Sequence, residues 1–286
     1  MPLLGVASLL TRGVLMRIMS YNVNGIRARV DHLRGVLEQF QPHVIGLQEI
    51  KVADEDFPED VFSDLGYHMY RFGQKGHYGV ALFSREPADQ VQYGFPGDGE
   101  EEHKRMIAGV WSLKDGRKLH VVNGYYPQGD NREHPTKFPN KRRFYENIQN
   151  WVEQQYKPDD LVVLTGDMNI APVNNDIGIG EPNVKRWLKT GKASFLPEER
   201  EWLARLMDWG FHDTWREQNP DTDDIFSWFD YRSRGFEREP RRGLRIDLIL
   251  ASKPLMAACD ETGIDYEWRS RPKSSDHCAI WADFDI

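Results

Sequence analysis

Cysteine is almost missing from this chain: 286 residues carry two, Cys259 and Cys278, and neither lies in a CxxC or Cys/His cluster. A disulfide scaffold and a structural zinc site of the usual spacing are thereby excluded, and the two thiols read as small interior side chains. Long apolar runs are missing too, none approaching the ~20 residues needed to cross a bilayer. Met1–Leu15 is mildly apolar with one basic residue, Arg12. It lacks the basic start, long apolar stretch and cleavage site of a secretory signal, and the arginine and serine of a transit peptide. The segment reads as a disordered extension on a cytoplasmic protein without a membrane partner, folding starting near Met16. Solenoid repeats and Gly/Ser-rich linkers are absent, which favours one domain over residues 16–286. An excess of basic charge is also missing, since the net charge is −8. That alone does not exclude a nucleic-acid partner, because phosphate binding follows local fields more than net charge.

The charges that are present are segregated. Acidic residues cluster at Asp54–Asp56 and Asp98–Glu102. Arg232, Arg234, Arg238, Arg241, Arg242 and Arg245 face only Glu237 and Glu239 within Tyr231–Arg245, and Lys137, Lys141, Arg142 and Arg143 form a second basic group. Such runs are more often solvated faces than binding sites, so they carry little weight alone.

Short apolar strands are readable at Ile18–Tyr21, Val44–Leu47, Gly79–Phe83, Ile107–Leu113, Leu119–Tyr125, Leu161–Leu164, Ile246–Leu250 and Ala279–Phe284. The 3.6-residue period predicts helices over Val30–Phe40, Arg143–Glu153 and Glu198–Trp209, with Gly210 as a stop. Ala171–Lys192 has little apolar period and reads as a long loop. Many strands with few helices, and no strict βαβ alternation, point to an α/β fold of sheets packed face to face with helices outside.

Polar residues gather where strands end: Ser20–Gly25, Gln48-Glu49, Asn123–Pro127, Gly166–Asn169 and Ser275–His277. Taken singly, each is a turn about as often as a site. Asp247 is different, because a carboxylate within the apolar run Leu244–Leu250 costs several kcal/mol unless paired. His277 can be that partner, and an Asp–His pair fixes the imidazole tautomer and favours its charged form. Asp276 and His277 are neighbours and reach one site only if they lie on a loop. Carboxylates, amides, one histidine and one tyrosine, without a reactive cysteine, suit hydrolysis of a phosphodiester. That reaction needs a hard cation on oxygen ligands, a positioned water and donors to phosphate oxygens. Glu49 with Asn22 suits magnesium, with manganese as a substitute.

The series SYNVNGIRAR, VIGLQEIKV, GQKGHYGVAL, NGYYPQG, LTGDMNIAP, SWFDYRSRGF, GLRIDLILAS and SDH resembles exonuclease III, the bacterial-type apurinic/apyrimidinic endonuclease family of the endonuclease/exonuclease/phosphatase superfamily. The match runs from about Arg17 to the C-terminus. QE, GDMN and SDH carry the superfamily; GQKGHYGVAL and SWFDYRSRGF carry the narrower family. The resemblance implies a four-layer sandwich of two packed mixed sheets flanked by helices. It implies a monomeric Mg2+-dependent enzyme acting on double-stranded DNA with abasic or blocked 3′ ends, cutting 5′ to abasic sites and trimming 3′ ends as exonuclease and phosphatase.

It also implies roles. Glu49 holds the metal, with Asn22 nearby and Asp276 a further ligand. Asp167 and Asn169 orient or deprotonate water. Asp247 pairs with His277, which binds phosphate or acts as acid/base, and Tyr125 contacts the phosphate. Arg105, Gln128 and Lys137 resemble backbone contacts, Arg234 and Arg242 are further DNA candidates, and Trp228, Leu244 and Ile246 line a sugar pocket. Whether Asp167 or His277 is the general base stays open. Two other readings compete: a lipid or inositol phosphatase with the same catalytic set, and a catalytically dead DNA-binding module.

Overall fold

The computed structural model describes residues 15–286; the expected disorder of residues 1–14 lies outside them. Twelve strands occur among the described residues: β1 (Leu15–Asn22), β2 (Val44–Gln48), β3 (His68–Phe72), β4 (Val80–Ser84), β5 (Gln90–Tyr93), β6 (Met106–Ser112), β7 (Lys118–Tyr125), β8 (Leu161–Asp167), β9 (Phe211–Asp213), β10 (Asp247–Ser252), β11 (Cys259–Ile264) and β12 (Ile280–Asp285). They form two six-stranded sheets, ordered β11-β12-β1-β2-β4-β3 and β5-β6-β7-β8-β10-β9. Each sheet has one parallel pair at its centre, β1 with β2 and β7 with β8, and antiparallel pairs elsewhere. The two sheets therefore repeat one pairing pattern.

The central strands are buried on both faces, which is why they read as continuous apolar runs. Ile18, Val44, Leu82, Val121, Val163, Ile249 and Phe284 meet between the sheets. Met19, Ile45 and Phe83 point outward onto Leu33, Val36 and Leu37 of helix α1 (Val30–Phe40). On the other outer face Val162, Leu164 and Leu250 pack against Ile148 and Val152 of α2 (Lys137–Gln155) and Leu203 and Leu206 of the helix Pro197–Trp209. This is the expected four-layer sandwich.

Several details differ from the sequence pattern. Strand β1 opens at Leu15, which pairs with Asp285. Helix α2 begins at Lys137 because Phe138 and Lys141 are buried there, and a lysine at a core position hides the apolar period. The expected loop Ala171–Lys192 contains a helix, α3 (Glu181–Thr190), bracketed by Gly180 and Gly191; α4 is the helix Pro197–Trp209. No residue of α3 is fully buried; its apolar side is short, Val184 and Trp187 packing half-buried against the cluster of Ile179, Phe195, Leu244 and Ile246. Cys278 is buried as expected, whereas Cys259 is only half-buried.

Candidate active site

Every polar cluster singled out in the sequence arrives at one end of the two sheets. Asn22, Gln48, Tyr125 and Asp167 close β1, β2, β7 and β8, while Asp247 opens β10 directly opposite Asp167. Asp276 and His277 lie on the loop before β12, as their adjacency requires. Gly166 makes the convergence of β7 and β8 possible. Its φ is +136°, and a Cβ there would sit 1.9 Å from the Gly124 carbonyl oxygen. Glu49, Lys51, Asn24 and Asn169 all adopt left-handed backbone. Such conformations cost about 1–3 kcal/mol each and persist where surrounding structure holds them, as at functional sites. At Glu49 the kink ends β2 and turns the carboxylate toward Asn22.

The side chains form one continuous polar chain. Asp247 accepts from His277 Nδ1 at 2.9 Å, and His277 Nε2 faces Asp167 Oδ2 at 3.8 Å. The Asn22 amide donates to Asp167 and to Glu49, at 2.9 Å each. Lys51 Nζ pairs with Glu49 at 2.7 Å and donates to Asn24 Oδ1. Asn24 donates to Asp276 at 2.8 Å, and the Trp228 indole donates to the other oxygen of Asp276 at 3.1 Å. The Asn169 N–H donates to Asp167 Oδ1 and its side chain to the Tyr126 carbonyl.

Burial and mutual charge set the protonation states. Burial raises the Asp167 carboxyl, Asp247 and Glu49 raise it further, and His277 and Asn22 only partly oppose them, leaving it pushed up to about 8. Burial disfavours the imidazolium of His277, but Asp247 and Asp167 outweigh that and raise it to about 10. Glu49 has the opposite balance: burial pushes it up, yet Lys51 and Asn22 bring it below its ordinary value. Burial, then Glu49 and Asp167, keep the Tyr125 phenol protonated far above its usual range.

Glu49, Asp167 and His277 present ligand atoms within 4.8 Å of one another, so they could hold a metal ion. A histidine ligand must be neutral, and His277 is held charged between two carboxylates, which leaves the oxygen donors of Glu49 and Asp167. That donor set fits a hard cation. Asn22 presents its NH2 to both carboxylates, while its oxygen accepts from Asn24 N at 3.0 Å. Asp276 stands outside the group, its oxygens occupied by Asn24 and Trp228. The site opens into a cleft of about 550 Å³, lined by Trp228, Leu244, Ile246 and Arg242 together with Asn183, Arg186, Trp187 and Lys192 from α3 and the residues just after it.

Comparison with known proteins agrees with this geometry. Residues 19–277 match the model of the Endonuclease/Exonuclease/phosphatase family. The chain belongs to that family. It is 51% identical to exodeoxyribonuclease III of Haemophilus influenzae over 269 residues, covering 94% of this chain and 100% of the relative. An AP endonuclease from Archaeoglobus fulgidus superposes with a TM-score of 0.85 at 31% identity, over 95% of this chain and 100% of that one. A 3′ phosphatase from Neisseria, solved with a product DNA hairpin, gives the same TM-score, identity and coverage.

Within this family member, not every residue expected at DNA reaches the cleft. Trp228, Leu244, Ile246, Gln128 and Arg242 line it; Arg105, Lys137 and Arg234 do not. Arg105 is buried, its guanidinium 4.1 Å from the Tyr78 ring centroid and 4.6 Å from that of Tyr125. Lys137 is exposed and paired with Asp130 at 3.1 Å. Two members of the basic groups are interior. Arg245 is 1% exposed and bridges Asp176 and Asp213, and Lys141 is fully buried against Glu199. Charge runs alone do not distinguish these cases, because sequence neighbours such as Arg242 and Arg245 are sent by the fold to the cleft and to a pair of buried aspartates respectively. Lys51, Asn24 and the cleft face of α3 were missed in the sequence. Lys51 follows Glu49 by two residues through the same left-handed turn, a signal visible only once the turn is known.

Proposed function

We propose that this chain is a magnesium-dependent DNA-repair phosphodiesterase. It cuts the backbone 5′ to abasic sites in duplex DNA and trims 3′ ends as exonuclease and 3′-phosphatase, with manganese able to replace magnesium. The observation that carries this reading is the meeting of Glu49, Asp167, Asn169, Tyr125 and the Asp247–His277 pair beside a partly apolar wall of Trp228, Leu244 and Ile246. The names of the relatives, an exodeoxyribonuclease III, an AP endonuclease and a 3′ phosphatase, support it. All these residues lie on one chain, which supports a monomer. No helix among the described residues is long and apolar enough to cross a membrane, in keeping with a cytoplasmic role.

In its ionised form, which a cation beside Glu49 would favour over the proton that burial otherwise keeps on it up to about pH 8, Asp167 is held by Asn22 and the Asn169 N–H, orients a water and takes its proton. His277, kept charged by Asp247, donates from Nε2 to a non-bridging phosphate oxygen, and Tyr125 donates its phenolic proton to the same group. Glu49, with Asn22 beside it, would hold Mg2+, which when bound supplies positive charge against the developing phosphorane and leaving oxygen. Trp228, Leu244 and Ile246 receive a deoxyribose that lacks its base and swings out at little stacking cost. One gel tests the reading, using an abasic duplex, a 3′-phosphate end, a blunt duplex and an inositol phosphate, each with and without EDTA. Cleavage of the three DNAs, abolished by EDTA, is expected; turnover of the inositol phosphate alone would refute it.

A further inference from the structure

Behind the cleft, between α2 and α4, Lys141 and Glu199 form an ion pair at 2.5 Å with both side chains 0% exposed. Withdrawing two charges from water costs several kcal/mol per ion, and apolar residues of similar volume are often as stable or more so. Stability alone is therefore a poor reason for this pair. What sets it apart is the backbone it holds. The Lys141 ammonium also donates to the carbonyls of Asn169 at 2.8 Å and Gln128 at 3.4 Å. The second oxygen of Glu199 accepts from the N–H groups of Ser194 and Leu196, at 2.8 Å each. Gln128, Asn169 and Ser194 all line the cleft, yet they belong to three segments far apart in sequence and outside the named strands and helices. The segments are cross-tied as well, Ala171 N–H to the Ser194 carbonyl at 2.7 Å and Ala193 N–H to that of Asp130 at 2.9 Å.

We propose that the Lys141–Glu199 pair is a positioning node for catalysis. It clamps the three cleft segments from behind, so that Asn169, in its left-handed conformation, and Gln128 meet the DNA backbone in a fixed arrangement. Neither member of the pair touches substrate. The inference rests on the proposed function only for the choice of substrate in the assay.

Two measurements test it. The first is native-state hydrogen exchange on the wild-type chain without DNA or cation. The amides of Ser194 and Leu196 should exchange as slowly as the core amides of α2, opening only with the whole fold. Exchange about tenfold or more faster than α2 would mean the node opens by itself and would overturn the proposal. The second is the neutral variant Lys141→Met/Glu199→Gln, of similar shape. Gln keeps an acceptor for Ser194 and Leu196, whereas Met removes the donor to Asn169 and Gln128. A misplacement of about 1 Å at a reacting centre costs on the order of 10²-fold. On abasic duplex the expected result is therefore a fall in kcat of roughly 10- to 100-fold, with KM changed less than about threefold, while Tm falls because the Asn169 and Gln128 carbonyls lose their donor. An unchanged kcat in folded variant overturns the proposal, whatever happens to Tm. If the variant does not fold, exchange on the wild type decides. If the wild type does not cut abasic DNA, the proposed function fails while exchange still judges the node.

Discussion

Replacing Asp247 by Asn isolates the electrostatics of the site with almost no change in shape. Two buried carboxylates hold His277 charged: Asp247 at 2.9 Å and Asp167 at 3.8 Å. Together they overcome burial and lift the imidazole from 6.5 to about 10. Without the nearer carboxylate, burial regains ground and the pKa falls back toward its ordinary value or below. A group titrating near 6.5 is only about one-tenth protonated at about pH 7.5, so loss of the imidazolium alone should cost at least about tenfold. Loss of the correct tautomer adds to this, up to ~10⁴-fold in total. The shape of the pH profile is the sharper readout. Wild-type kcat/KM should show no loss of the imidazolium until near pH 10, whereas the variant should decline from about pH 6–7 and partly recover on acidification. Stability should follow with a definite sign. A folded pKa above the unfolded value gives stability that is fully present below about 6.5 and is lost as pH rises toward 10, by up to about 1.4 kcal/mol per pH unit. In EDTA the wild-type Tm should fall across that window and the variant's should fall less. Parallel pH profiles for both proteins would refute the assignment of His277 as the charged phosphate donor.

Asp167 is raised from 3.8 to about 8, so the metal-free fold loses stability as pH rises through that range, and a nearby cation reverses the loss. Saturating magnesium should raise Tm more at about pH 8 than at about pH 6, and Glu49→Gln should remove most of the effect; a larger rise at the lower pH contradicts the proton linkage. Arg242 lines the cleft while Lys137 is paired with Asp130 outside it. Arg242→Gln should lower the salt slope of DNA binding by about one and Lys137→Gln should leave it unchanged, measured by fluorescence anisotropy; equal effects would mean that cleft position is irrelevant. Trp228→Ala removes an indole from the wall proposed to receive the sugar, worth roughly 1–3 kcal/mol by analogy with base–aromatic stacking. Abasic-site cleavage should fall by about one to two orders of magnitude and 3′-phosphate removal by less; an equal fall with a lower Tm would make Trp228 a packing residue.

The strands legible in the sequence are the eight central ones, and the four that were not, β3, β5, β9 and β11, are the sheet edges. Burial on both faces writes a continuous apolar run, whereas an edge such as Gln90–Tyr93 is largely exposed and reads as polar chain. The same asymmetry holds in the site. Asp247 and His277 were legible as a pair because a carboxylate in an apolar strand demands a partner, and the structure supplies it at 2.9 Å. The basic groups were not legible, because Arg245 and Arg242 look alike in sequence while one spans two buried aspartates and the other faces the cleft. Helix α3 was hidden for a related reason: of its apolar side chains only half-buried Val184 and Trp187 turn inward, onto the small cluster of Ile179, Phe195, Leu244 and Ile246, and so short a stripe is easily missed.

The site is assembled from two halves, with Asn22, Glu49 and His277 supplied by one sheet or the loop entering it and Tyr125, Asp167 and Asp247 by the other. Just beneath them the Asn123 amide crosses the interface. It donates to the carbonyls of Leu47 and Ala81 at 3.0 Å each and accepts from Gln48 at 2.6 Å. It fits because Gly46 has no side chain; a Cβ there would lie 2.6 Å from the Asn123 side chain. This one amide and one missing methyl let the two sheets close to hydrogen-bonding distance just beneath the groups that each contributes to the site. A side chain at position 46 would collide with that of Asn123, and Asn123→Ala would leave the Leu47 and Ala81 carbonyls without this donor, although neither position carries a reacting group. The seating of one half of the site on the other thus depends on two buried positions outside the cleft.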